Sequence, residues 1–234
     1  MKAIYRKELG GYFHTMSGYV YLSIFLMISG YYFVTGNLLS GNGDMKNYFS
    51  SMVQVGMFLL PMLTMRSFAE EQKTGTNQLL MSSPVSGPGI VTGKFLAVLT
   101  VFAIGQSVSL IYGAILAAYG QFDPYLLSGS LAGTILAASA FISIGLFISS
   151  VTDSQVVAGV ISYSILMGLW LIGYIGTFLS SSPLKALASY LSLSSKFMEF
   201  SMGLLSLTSV TYYISIAFLF LFFTILMQER RRIC

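Results

Sequence analysis

Six long apolar runs, separated by short polar breaks, set the pattern of this 234-residue chain. They cover roughly 19–39, 49–65, 95–119, 126–150, 156–179 and 210–227. An apolar helix needs about 20 residues to cross a hydrocarbon core of about 30 Å. The runs are continuous rather than alternating, which selects helices over barrel strands. In lipid, each backbone polar group must be satisfied within its own segment, and a helix does this. The pattern predicts an all-α polytopic membrane protein with six transmembrane helices. The second run is the shortest and carries Gln54 and Pro61. A proline near a span end kinks the helix, and neighbouring helices re-satisfy the freed carbonyl.

Two flanking patterns add shorter elements. Tyr5, Leu9, Tyr12, Phe13 and Met16 recur at helical spacing opposite Arg6, Lys7 and His14. This predicts an amphipathic helix over 1–18 lying in the interface, although Gly10-Gly11 weakens it. Between the fifth and sixth runs, Leu184, Leu187, Ala188 and Leu191 oppose Lys185, Ser189 and Ser192, and an apolar-rich 197–207 follows. We read 180–209 as a pair of short helices dipping back into the leaflet; a loop resting on the lipid is the alternative.

Composition agrees with the pattern. Apolar residues are 55% and charged ones 9%, with a mean hydropathy of +0.78, well beyond the soluble norm. A pI near 9.1 hints at nucleic acid, but the basic residues gather at span ends, so topology explains them and no nucleic-acid partner is expected. With both termini inside, nine Lys and Arg face inward: Lys2, Arg6, Lys7, Arg66, Lys73, Lys94, Arg230, Arg231 and Arg232. Only Lys46, Lys185 and Lys196 face outward. The positive-inside bias therefore puts the termini and the polar insert 66–94 in the cytoplasm. The first run is too long for a signal-peptide core, and no small-residue cleavage site follows it.

Charge placement and residue inventory exclude several functions. No charge falls in the middle of a span, whereas ion-coupled carriers place ionisable groups there despite a cost of about 2.5–3.5 kcal/mol each. Gln54 and Gln106 read as helix–helix hydrogen-bond partners. One histidine and scattered carboxylates cannot assemble a nucleophile with its base and orienter, so no catalytic residue is expected. His14 reads as a polar-face residue rather than a metal ligand. Cys234 is the only cysteine, so no disulfide framework is possible, and no prenylation box follows it.

Gly87-Pro88-Gly89-Ile90-Val91-Thr92-Gly93-Lys94 mimics a phosphate-binding loop, but its glycine spacing is wrong and Phe95 stands where Ser or Thr should hold magnesium. Pro88 and Gly89 open the third helix instead, and Lys94 is expected to snorkel at the boundary. Gly129, Gly133 and Ala137 form a small-residue stripe, assigned to intrachain packing ahead of dimerisation. Asp153 reads as the N-cap of the fifth span.

The insert carries the most specific signal. Met65-Arg66-Ser67-Phe68-Ala69-Glu70-Glu71, Lys73-Thr74-Gly75-Thr76, Leu79-Leu80, Ser83-Pro84-Val85-Ser86 and Gly93-Lys94 together resemble permeases of the ABC-type-2 exporter superfamily. Ser149-Ser150, Thr152-Asp153-Ser154-Gln155, Phe197, Phe200, Gly203, Val210, Tyr212-Tyr213 and Glu229-Arg230-Arg231-Arg232 extend the likeness, nearest to the gliding-motility-type permease. The resemblance covers essentially the whole chain and departs at Asn77, Lys196 and Ser209.

The resemblance implies a single permease domain over 1–234, with an entry helix, a cytoplasmic coupling helix within 66–94 and short outer helices. It implies a cytoplasmic ABC ATPase partner that binds ATP and Mg, while this chain binds no cofactor. It also implies a second permease subunit, identical or different, and an auxiliary subunit with an extracytoplasmic domain. The location implied is a prokaryotic inner membrane. The residues expected at the ATPase are Arg66, Phe68, Glu70, Glu71, Lys73, Thr74, Gly75, Thr76, Leu79 and Leu80. Export by alternating access is the leading reading; force transmission to an extracytoplasmic partner is the alternative.

Overall fold

The computed structural model describes residues 2–41, 43–75, 86–119, 123–178 and 190–233, and within them every regular element is helical. Chain order is α1 (Lys2–His14), α2 (Met16–Phe33, extended by a wide turn at Val34–Leu38), α3 (Lys46–Lys73), α4 (Gly87–Gln106) and α5 (Val108–Ala118). There follow α6 (Pro124–Val151), α7 (Gln155–Phe178), α8 (Leu193–Ser201) and α9 (Leu207–Ile233). Among the described residues, six stretches are long and apolar enough to cross a membrane, and each overlaps one of the six runs of the sequence. The chain is a multi-pass membrane protein.

Helices α3 and α6 make the centre: 61% and 67% of their most apolar windows are buried, against 17% for α9. Small residues let them approach. A Cβ on Gly145 would overlap Thr64 of α3. On Gly133 it would overlap Phe200 of α8, and on Gly129 it would strike the backbone of Gly203. The stripe containing Gly129, Gly133 and Ala137 is therefore used within the chain. Gly203 itself has φ +76°, a left-handed turn that glycine adopts without strain and that carries the chain from α8 towards α9. Ser209 donates to Glu199 Oε2 at 2.6 Å, and Ser206 donates to the same oxygen. The two hydroxyls hold that carboxyl below its usual range.

Several expectations need correction. The second span does not end at 65. Helix α3 runs unbroken from Lys46 to Lys73, about 42 Å at 1.5 Å per residue, and so outreaches a core of about 30 Å. Any separate coupling helix would fall on 76–85, outside the described residues. The third span starts at Gly87, not 95, and is divided at Ser107 into α4 and α5. Helix α7 starts at Gln155, so Ser154 and not Asp153 precedes it, and the Ser154 carbonyl accepts from Ala158 N at 2.9 Å.

The buried stripe of α1 is Ile4 and Tyr12, with Tyr5, Leu9 and Phe13 half-buried; Met16 is exposed because it opens α2. Gln54 is exposed on the open face of α3 and Gln106 is buried, and among the described residues neither makes the expected helix–helix bond. Of the expected outer pair of helices, α8 is present; Leu184, Leu187 and Ala188 lie outside the described residues.

Candidate functional site

At one end of the bundle, α1, the last turns of α3 and the first turns of α4 converge on Lys94. Glycine permits the approach: a Cβ on Gly93 would come within 3.0 Å of Ile4 Cγ2. The Lys94 ammonium donates to the Ser67 carbonyl at 2.6 Å, and lies 3.1 Å from Glu8 Oε1 and 2.9 Å from Glu71 Oε1. Phe68 places its ring 4.9 Å from the same nitrogen. The Lys94 side chain is 1% exposed, and each carboxylate is 15% exposed. Burying an ammonium costs several kcal/mol, offset only where geometry is good and every donor is used. Hydrogen bonds to Ser67 and Glu8 and the ion pair with Glu71 supply that offset. Lys94 therefore does not snorkel; it joins three helices.

Further bonds reinforce this joint. Tyr12 donates to the Leu63 carbonyl at 3.1 Å and shares a hydrogen bond of 3.2 Å with Ser67 Oγ. Burial pushes its phenol well above the ordinary value. Lys7 Nζ lies 3.7 Å from Glu71 Oε1. A cleft of about 240 Å³ opens beside the joint, lined by Lys7, Tyr12, Thr15, Arg66 and Glu70 among others.

The same end of α3 is fastened to α6. Ser149 Oγ donates to the Met65 carbonyl and accepts from the N–H groups of Phe68 and Ala69, each at 3.1 Å. A side chain reaching into a helix ladder in this way is a recognised cause of bending. Gln72 Nε2 donates to the Ser150 carbonyl at 3.0 Å. At the rim, Arg231 stands 3.9 Å from Asp153, and Gly87 faces the Glu229 side chain. The ends of α3, α6 and α9 and the start of α4 thus share one end of the molecule with α1.

Those of the expected ATPase-contact residues that the structure describes divide into three groups. Lys73, Thr74 and Gly75 form an exposed tip, where Gly75 has φ +73° and Thr74 N–H donates to the Glu70 carbonyl at 3.0 Å. Arg66 and Glu70 are half-exposed and paired two-pronged, at 3.0 and 3.2 Å. Phe68 is wholly buried and Glu71 mostly so. Thr76, Leu79 and Leu80 lie outside the described residues.

Sequence reasoning missed Glu8, Ser67 and the burial of Lys94. The signal for Glu8 was present: Ile4, Glu8 and Tyr12 repeat every four residues and so share the buried face of α1.

The profile of the ABC-2 family transporter protein matches residues 36–228, from the end of α2 through most of α9. Lys94, Glu71 and Ser149 fall inside that stretch, whereas Lys7, Glu8 and Tyr12 precede it. No curated protein matches the chain. A profile covering most of the chain, laid over six apolar helices, identifies the chain as a member of the ABC-2 transporter family, a membrane-spanning permease subunit of an ABC transporter.

Proposed function

We propose that this permease is an exporter subunit and that the α3 tip, Lys73-Thr74-Gly75 with the following Thr76, Leu79 and Leu80, is where a separate ABC ATPase engages it. The fastening behind the tip carries this reading. Glu71 leads through Lys94 to α1 and α4, while Gln72 and the backbone around Phe68 lead to Ser149 and Ser150 of α6. A displacement imposed on the tip therefore moves three helices together, because packed, hydrogen-bonded contacts deform little.

In this reading the ATPase holds ATP and Mg, and the permease performs no chemistry. Arg66, Glu70 and Lys73 form a charged rim that steers docking. Two permease subunits, alike or different, pair in a prokaryotic inner membrane, with the tip and both termini cytoplasmic. They move a substrate outward by alternating access. The motifs quoted above favour the gliding-motility-type subgroup, and with it an auxiliary subunit bearing an extracytoplasmic domain.

The test is reconstitution with the partner ATPase. Gly75→Pro imposes φ near −65° where the chain adopts +73°. Lys73→Glu reverses an exposed rim charge worth about 0–1 kcal/mol. Both variants should insert and keep their helical content. Gly75→Pro should lower ATPase assembly or coupled hydrolysis at least about tenfold, and Lys73→Glu by up to about fivefold. Parent-level assembly and hydrolysis by both would sink the assignment.

A further inference from the structure

The end of the bundle away from Lys94 holds two cavities whose walls meet. One, of about 330 Å³, is lined by Lys46, Asn47, Ser50, Trp170, Tyr174 and residues of α8. The other, of about 320 Å³, is lined by Gln54, Phe58, Tyr163, Met167, Trp170 and Tyr174 among others. Trp170 and Tyr174 belong to both, so the two form one groove between α3 and α7. On α3, Lys46, Ser50, Gln54 and Phe58 follow at four-residue steps and share a face. The twelve residue steps from Lys46 to Phe58 make the groove about 18 Å long.

Two features of this groove point to a ligand. The first is unspent polarity. Elsewhere in the spans Ser109, Thr134, Ser143, Ser162 and Thr224 each return a hydroxyl to a carbonyl about one turn back. Along the groove, the side chains of Lys46, Asn47, Ser50 and Gln54 make no hydrogen bond or ion pair among the described residues. The second is charge. Lys46 brings a positive charge to the mouth, and no Asp or Glu lines either cavity. Further in, the wall becomes methionine and aromatic ring, the adaptable surface that suits a flexible chain.

We propose that this groove binds an amphiphile whose anionic head pairs with Lys46 and whose apolar chain lies along Phe58, Tyr163 and Met167. Lys46 is the first residue of α3, the depth at which a lysine meets lipid heads. Asn47 and Ser50 add neutral donors to the same head. Calling this ligand the cargo rests on the exporter reading; its binding does not.

The chain contains a single tryptophan, and it is Trp170, so intrinsic fluorescence reports occupancy. The purified full chain in phosphatidylcholine nanodiscs, without ATPase or ATP, is titrated with dibromostearate, brominated lysophosphatidylglycerol and a neutral brominated alcohol of equal chain length. Saturable quenching by either anion is expected, the tighter of the two naming the head as carboxylate or phosphate. Lys46→Gln should weaken it about tenfold, and Lys46→Arg should retain it. The alcohol should quench weakly, without saturation, and equally in every variant. Equal quenching by anions and alcohol, or no change in Lys46→Gln, would overturn the proposal. So would rapid disulfide formation between two copies of Gln54→Cys with Trp170 unquenched, which would put a second subunit in the groove. Failure here leaves the coupling reading standing, because neither the ATPase nor the α3 tip takes part.

Discussion

A lysine at the start of an apolar helix can reach water by extending its stem, and Lys94 turns inward instead. The reason lies in its three acceptors: two carboxylates from different helices and the Ser67 carbonyl. Lys94→Met keeps much of the volume but takes from Glu8 its cation and leaves Glu71 only the exposed Lys7 at 3.7 Å. Breaking a buried ion pair from one side costs about 3–5 kcal/mol, so the variant should lose much of its thermal stability in detergent. Adding Glu8→Gln and Glu71→Gln should restore most of the loss, since neutral partners need no counter-charge. A melting temperature for Lys94→Met equal to the parent's would show that the cluster holds nothing together. None of this was legible from the local pattern around Lys94, because periodicity within one helix does not reveal a partner 86 residues away. The Gly93-Lys94 pair was visible as a motif; its physical content, close approach at Gly93 and a buried cation next to it, required α1 in place.

Among the elements, the six spans were readable because lipid imposes long apolar runs and little else produces them. Their ends were not. Hydropathy falls at Met65, yet α3 continues to Lys73 because Ser67, Phe68 and Ala69 are buried against neighbours rather than lipid. Helix α8 shows what small residues do at this scale. The stripe on α6 was legible, but only the fold shows that Phe200 and Gly203 occupy it. Gly133→Ala would force its methyl into Phe200, and overpacking of this kind costs about 1–3 kcal/mol. Gly168→Ala, on α7 with nothing within 4 Å of the added carbon, should be neutral or slightly stabilising. Thermal unfolding of the two variants side by side checks this. A Gly133→Ala protein as stable as Gly168→Ala would mean that α8 moves aside freely and does not anchor on α6.

At the scale of the molecule, the two ends differ in kind. One end gathers the Lys94 joint, the α3 tip, the turn at Asp153 and the arginines of α9; the other carries Lys46, α8 and the groove mouth. The contacts group these features by end, which the sequence anticipated from span parity. The proposed orientation, with the α3 tip inside, draws its support from the nine-to-three asymmetry of basic residues through the positive-inside bias. Replacing Cys234 with serine leaves a chain without thiols, into which one probe is placed at a time. Lys73→Cys, on the exposed tip, should stay unlabelled when an impermeant thiol reagent is applied to intact spheroplasts, and should react once they are lysed. Leu204→Cys, 61% exposed in the turn after α8, should react before lysis. Labelling of Lys73→Cys from outside would turn the molecule over. It would then remove the tip from the compartment that contains ATP and, with it, the proposed docking of the ATPase.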